Sequence, residues 1–298
     1  MLSYINILDG LYYASILYLL SLGLNLVFGV SKLLNLGHGS FYSLGAYITA
    51  WFIGIALSYY RQSQALLLIP YLGIAIGAIA VAAIGALLEK TIIRFLYNIT
   101  LERQLLATYG ILLIFSDIER MIWGGNILSA PQPVDLLGNI NVGGYYYPTY
   151  YILLIIISFS IGIGMHLFIY KTDIGILIRA TSYDRELAPG LGINVRRVST
   201  VTFLLSAFLA GLAGSLIVPI TSATLGMEIE PLILAFIVSV IGGLGSFWGS
   251  LIGSILIGEL RSLGIALFPE IELAIVFLIA AIVLAIRPEG LLGKRYGR

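Results

Sequence analysis

The chain has 298 residues, of which 59% are hydrophobic and only 10% charged, against roughly 45–50% and about 25% in soluble domains. Its mean hydropathy is +1.02, its formal net charge is +1, and it has no cysteine. These figures exclude a soluble enzyme, a disordered tail and a nucleic-acid binder, and with them disulfide and thiol chemistry.

The apolar stretches predict membrane helices, each needing about 20 residues. The first runs from Leu11 to Val30. No Lys or Arg precedes it, so it lacks the basic start of a secretory signal and reads as a retained helix with its N-terminus outside. The second runs from Leu33 to Leu57 and the third from Leu66 to Leu88, followed by the polar connection KTIIRFLYNITLERQ. The fourth runs from Leu105 to Trp123. Gly124–Gly144, rich in Gly, Pro and Asn, then reads as an exposed loop. The fifth runs from Tyr150 to Tyr170 and the sixth from Val198 to Val218, separated by the longest charged segment. Leu232–Phe268 is apolar but interrupted by IGGLGSFWGS, so it forms either two short spans or a re-entrant hairpin. The last span is Ile271–Ile286.

The expected fold is therefore all-α: one polytopic membrane bundle of about nine spans, within a range of seven to ten, with a cytoplasmic segment at about 171–198. Charge sets the orientation. With the N-terminus outside, Lys32, Lys90, Arg94, Arg103, Lys171, Arg179, Arg185, Arg196, Arg197, Arg287, Lys294, Arg295 and Arg298 fall inside, against Arg61 alone outside. A C-terminus inside then requires an odd number of crossings, nine or, with a re-entrant hairpin, seven.

Chemistry-bearing motifs are scarce. GLLGKRYG lacks the phosphate-loop spacing, and neither HExxH nor GxSxG occurs. No catalytic activity, metal site or bound cofactor is expected in this chain. Asp117, Glu119 and Arg120 lie near a helix end, where snorkelling and mutual pairing account for them. Glu259 and Arg261, two residues apart, do not face each other on one helix and are expected to pair with other helices or with a second subunit.

Two segments read as functional. Asn35, Gly37, His38, Gly39, Ser40 and Tyr42 are more polar than a helix made only to cross lipid, and broken helices often build substrate sites. Asn25 is a further polar group that could line the same path. His38 either meets substrate or bonds a neighbouring carbonyl, whereas His166 among apolar residues reads as structural. Gly243 and Gly245 repeat the pattern: Gly243–Phe247 and Gly37–Phe41 both read G-x-G-S-F, hinting at two related halves. The second functional segment is Arg179–Arg197. It is too polar to span; RATSYDRELA has helical character, and Pro189-Gly190 breaks it. A short helix held against the inner face in this way is a docking element.

NLVFGVSKLLNLGHGSFYSLGAYITAW, RATSYDRELAPGLGINVRRV, SVIGGLGSFWGSLIGSILIGEL and RPEGLLG resemble, in consistent order, the signatures of the permease subunits of high-affinity branched-chain amino acid ABC importers. The resemblance implies a coupling helix of the E-A-A-x-x-x-G pattern that docks into an ATPase subunit. Glu186, Ala188 and Gly192 fit that pattern, Leu187 replaces an alanine and Pro189 is unusual within it. Arg179, Asp184 and Arg185 join the coupling set. It also implies ATP bound by partner ATPases, a second permease that is commonly a different one, an external solute-binding protein, and residence in a prokaryotic plasma membrane. Asn25, His38, Ser40 and Tyr42 are then the residues expected to line the path. Related permeases for urea, short amides or other small solutes carry the same signatures; an ion-coupled carrier or a channel acting alone is the reading from another class.

Overall fold

In lipid a backbone must satisfy its own polar groups, and long apolar runs do so as helices. The computed structural model describes residues 4–59 and 68–293. Eleven α-helices form among them: α1 Tyr4–Ser31, α2 His38–Tyr59, α3 Ile69–Thr91, α4 Leu101–Trp123, α5 Gln132–Leu137, α6 Thr149–Lys171, α7 Asp173–Tyr183, α8 Val195–Thr221, α9 Ile229–Gly242, α10 Phe247–Leu267 and α11 Glu272–Ile286. Six are long and apolar enough to cross a membrane: α1, α2, α3, α6, α8 and α10. α4 carries Glu102, Arg103, Asp117, Glu119 and Arg120 along its length and is not among them. α9 and α11 are apolar but short; the 14 residues of α9 reach about 21 Å, less than the roughly 30 Å of a hydrocarbon core.

α1 is the axis of the bundle. Its most apolar window is 89% buried, against 28% for α6, so α1 is wrapped by protein while α6 presents most of its surface outward. α8 lies beside α1 and packs against α2 and α3. Apolar burial gives helices in lipid no reason to associate, so close backbone approach and interhelical hydrogen bonds do the work. Gly45 and Gly214 illustrate it: a Cβ on Gly45 would strike the Gly211 carbonyl, and one on Gly214 the Tyr42 carbonyl. Polar side chains tie the same helices. Ser215 donates to the Gly45 carbonyl at 3.1 Å, Thr49 to Gly73 at 3.2 Å, and Tyr150 to Leu216 at 2.8 Å.

Three readings change against this frame. The second apolar stretch does not begin as helix at Leu33; Leu33–Asn35 lie outside any helix, Leu36-Gly37 form a turn, and α2 starts at His38. Leu232–Phe268 resolves into α9 and α10, joined by a tight turn. The segment Gly124–Gly144 is more than a loop: it holds α5, and it opens a two-stranded antiparallel hairpin of β1 (Asn139–Val142) with β2 (Tyr145–Pro148). Gly143-Gly144, both with positive φ, form the turn. Arg61, Lys294, Arg295, Arg298 and the first two residues of the expected third span lie outside the described residues.

Candidate functional site

The first helix break is built from the end of α1. Lys32 takes a left-handed φ of 51° and stops the helix. The non-helical residues after it need partners for their backbone, and Thr108 of α4 supplies them: its Oγ1 accepts from Leu36 N at 3.2 Å and lies 3.4 Å from the Leu34 carbonyl. α2 thus begins inside the bundle. His38, its first residue, is 1% exposed, and its Nε2 sits 3.0 Å from the Leu20 carbonyl of α1. Leu20 is eleven residues before the end of α1, roughly 16 Å along the axis. The other ring nitrogen lies 3.4 Å from Ser206 Oγ of α8. The start of α9 meets this point from the other side, with Leu232 and Glu228 where a Gly39 Cβ would stand.

Polar atoms collect there. Asn35 Oδ1, Ser40 Oγ, Glu119 Oε2 and Glu228 Oε2 are all buried and have no hydrogen-bond partner. Each lies on, or on an element packed against, the first turns of α2. Glu119 corrects the sequence reading. It is not paired with Arg120 near a helix end; it is wholly buried and accepts from Ser43 Oγ at 2.5 Å, while Asp117 and Arg120 are exposed and form no ion pair among the described residues. Tyr42 is buried and packs within the main core.

The second break is the turn from α9 to α10. Gly243 and Gly245 have φ of 106° and 79°, a conformation nearly reserved for glycine. Ser246 caps α10, accepting from Gly249 N at 3.0 Å. Asn25 of α1 holds this turn: its Oδ1 accepts from Gly245 N at 2.9 Å, and its Nδ2 donates to Ser250 Oγ at 2.7 Å and to the Ser246 carbonyl at 3.4 Å. The predicted path residues are thus divided between the two breaks, with α1 between them. Asn35, Gly37, His38, Gly39, Ser40 and Tyr42 stand at one, and Asn25, Gly243 and Gly245 at the other. Arg261 bridges α9 and α11 as its position suggested, 2.5 Å from Glu230 and 3.9 Å from Glu272, with its guanidinium over the Tyr13 ring at 3.9 Å.

The docking segment differs from expectation in where its helix lies. α7 ends at Tyr183, so RATSYDRELA is helical only in its first half. Asp184 then makes a turn, its Oδ1 accepting from the backbone N–H of Glu186 and of Leu187 at 2.9 Å each. Ala188–Leu191 form one 3₁₀ turn, and Gly192 closes it in the left-handed region at φ 78°. Pro189, in the first turn of that element, has no backbone N–H to continue a helix from α7, and the left-handed Gly192 ends the element on its other side. Two arginines clamp the segment. Arg179 donates to the Ile169 carbonyl and lies over Tyr170; Arg185 donates to the Val30 carbonyl at 3.1 Å and stacks on Tyr97 at 4.4 Å. Burial holds the Arg185 guanidinium below its ordinary pKa. Val30, Ile178 and Val198 close a small core beneath it. Tyr183, Leu187 and Leu191 face outward, 85%, 68% and 78% exposed.

A polar cluster beside the segment went unread. Glu89, at the end of α3, is fully buried and accepts from Arg94 at 3.1 Å, Tyr97 at 3.2 Å and Thr200 at 2.5 Å. The signal was there: an acid closing an apolar span immediately before a basic stretch. Burial and the neighbouring Glu89 carboxylate push the Tyr97 phenol well above its usual range.

Comparison with known proteins fits this geometry. Over 302 residues the chain is 26% identical to the high-affinity branched-chain amino acid transport system permease protein BraD of Pseudomonas aeruginosa, covering 97% of this chain and 95% of that one. A probable branched-chain amino acid transport permease protein, LivH of Methanocaldococcus jannaschii, is 29% identical over 275 residues, 86% of this chain and 80% of the relative. The permease protein LivM of Escherichia coli is 27% identical over 305 residues, 92% of this chain and 67% of the relative. A family model described as the permease component of branched-chain amino acid transport systems matches residues 6–286. The chain belongs to that permease family.

Proposed function

We propose that the chain is one of two permease subunits in an ATP-driven importer of branched-chain amino acids in a prokaryotic plasma membrane. α4 joins the six long apolar helices as a further crossing, and the short α9 and α11 complete two more together with the non-helical residues at their ends, giving nine, with the N-terminus outside and the C-terminus inside. The distribution of Lys and Arg supports that orientation. The second permease is of the LivM kind, ATP is bound by separate ATPase subunits, and an external binding protein delivers substrate at the face bearing the hairpin. This chain itself carries no catalytic step.

The observation that carries this reading is the segment Asp173–Gly192. It is clamped to span ends through Arg179 and Arg185, while Tyr183, Leu187 and Leu191 project apolar side chains that nothing among the described residues covers. Such a surface suits the cleft of a partner. The substrate route passes the start of α2, where Asn35 and Ser40 offer buried polar atoms without partners. A buried polar group costs free energy unless something bonds it, and a passing solute or its water supplies that bond.

The test uses the assembled importer with its binding protein. Gly192→Trp strains a left-handed position by about 1–2 kcal/mol and fills the tip with bulk. Glu186→Lys reverses its charge. Each is expected to lower substrate-stimulated ATP hydrolysis and leucine uptake at least about tenfold while the permease still inserts, a loss of about 1.4 kcal/mol in coupling. Unaltered hydrolysis and uptake in both variants would sink the coupling assignment.

A further inference from the structure

A cavity of about 520 Å³ opens beside the docking segment, between the connection from α3 to α4 and the start of α8. Its wall includes Glu89, Lys90, Arg94, Tyr97, Arg185 and Arg196. A shallower depression continues it past Arg197 and Thr200. The charge balance is one-sided. Glu89 is the one acid in the wall, and its carboxylate is already taken by Arg94, Tyr97 and Thr200. Lys90 and Arg196 form no ion pair and no side-chain hydrogen bond among the described residues. Arg94 keeps a buried Nε without a partner. Lys90 and Arg196 thus face the cavity without an ion pair, and Arg185, tied to the Val30 carbonyl and stacked on Tyr97, adds a third cationic group to its wall.

The apolar surroundings say what kind of anion fits. Leu87, Ile92 and Phe95 are 64%, 45% and 71% exposed on the adjoining surface, and Phe95 reaches into the cavity wall. A cationic recess at a helix end, bordered by outward apolar side chains, matches an amphiphile with an anionic head. The apolar tip of the docking segment, Leu187 and Leu191, does not line the cavity.

We propose that this cavity binds the phosphate of an anionic phospholipid, whose acyl chains run along Leu87, Ile92 and Phe95. The inference rests on the membrane reading above. The lipid phosphate sits against Arg185, the side chain that ties the docking segment to α1, so a bound lipid stiffens the attachment through which the ATPase acts.

The test is lipid retention by the whole importer, purified and placed in phosphatidylcholine nanodiscs containing phosphatidylglycerol. Native mass spectrometry reads the lipid kept by the complex, and substrate-stimulated ATP hydrolysis is measured on the same samples. The double variant Lys90→Gln/Arg196→Gln removes two charges away from the Tyr183–Gly192 tip, one near the end of α3 and one in the first turn of α8. It is expected to lower phosphatidylglycerol retention about 30-fold, taking each charge near a membrane surface at its ordinary worth, with phosphatidylcholine retention unchanged. Equal phosphatidylglycerol retention overturns the proposal. So does displacement of the lipid by millimolar inorganic phosphate alone, which would make the site one for a free anion, and so does loss of the ATPase subunits from the double variant without any change in lipid. Absence of stimulated hydrolysis in the unaltered complex, with the lipid still retained, would strike the importer reading and leave this site standing.

Discussion

Gly37–Phe41 and Gly243–Phe247 share five-residue spelling, G-x-G-S-F, and use it in opposite ways. In the first, neither glycine has positive φ. Their value is room: Ile111 and Leu232 stand 3.0 and 3.1 Å from where their Cβ atoms would be. In the second, both glycines are left-handed, and Gly293 and Leu292 pack across Gly243. Ser40 lies inside a helix with its hydroxyl unpartnered, whereas Ser246 caps one. What precedes each pattern decides its use. A non-helical stretch ends in a turn at Gly37 that opens directly into a helix. A helix runs into Gly243, and a helix end that reverses its chain needs a left-handed residue. A repeat in letters is therefore not a repeat in conformation.

Three substitutions separate the two sites, and the largest effect belongs to the turn. Gly243→Ala forces an L residue to φ 106° and drives a methyl into the Gly293 backbone. It is expected to cost about 3 kcal/mol or more, read as lost insertion or a lower midpoint in thermal unfolding of the complex. A midpoint unchanged from the parent would mean that the turn is not as rigid as its contacts imply. Asn25→Leu keeps the branched shape but orphans Gly245 N–H and takes a donor from the Ser250 hydroxyl, which keeps only its bond to the Ser246 carbonyl. A cost of about 2 kcal/mol is expected, again by thermal unfolding; Asn25→Asp should recover part of it through the Gly245 bond. Ser40→Ala comes last. It removes a hydroxyl that bonds nothing, so stability should move by no more than about 0.5 kcal/mol, while uptake falls if the hydroxyl serves passing solute. A stability loss as large as that of Asn25→Leu would assign Ser40 to holding the bundle instead.

The spans themselves were readable because lipid demands long apolar helices, and the six helices that are both long and apolar follow the hydropathy closely. Helix starts were less readable. Leu33–Leu36 are as apolar as the helix after them, and the bond to Thr108 that holds them outside any helix is tertiary. The hairpin carried a usable signal, Gly143-Gly144 between Asn139–Val142 and the tyrosines, but the Gly- and Asn-rich context masked it. Asn25 and Glu119 were visible as polar residues in apolar runs. Their partners, 220 and 76 residues away, were not, because nothing local encodes a contact between distant helices. The non-spanning segment between α6 and α8 was legible from its charge, while its helix was misplaced because Asp184 ends α7 with side-chain bonds that a helical composition does not reveal.

α1 has a bond at each end that leaves the bundle's interior. Near its start, Asp9 accepts from Tyr147 of the hairpin at 3.0 Å. Near its finish, the Val30 carbonyl accepts from Arg185 of the docking segment at 3.1 Å. Between them lie 20 residues, about 30 Å of continuous helix, gripped on nearly every side. Close-packed surroundings leave such a helix little freedom to bend, so it behaves as a tie rod. A pull on the Arg185 loop arrives at the hairpin as a displacement of the same rod, with no relay of intermediate side chains between the two faces.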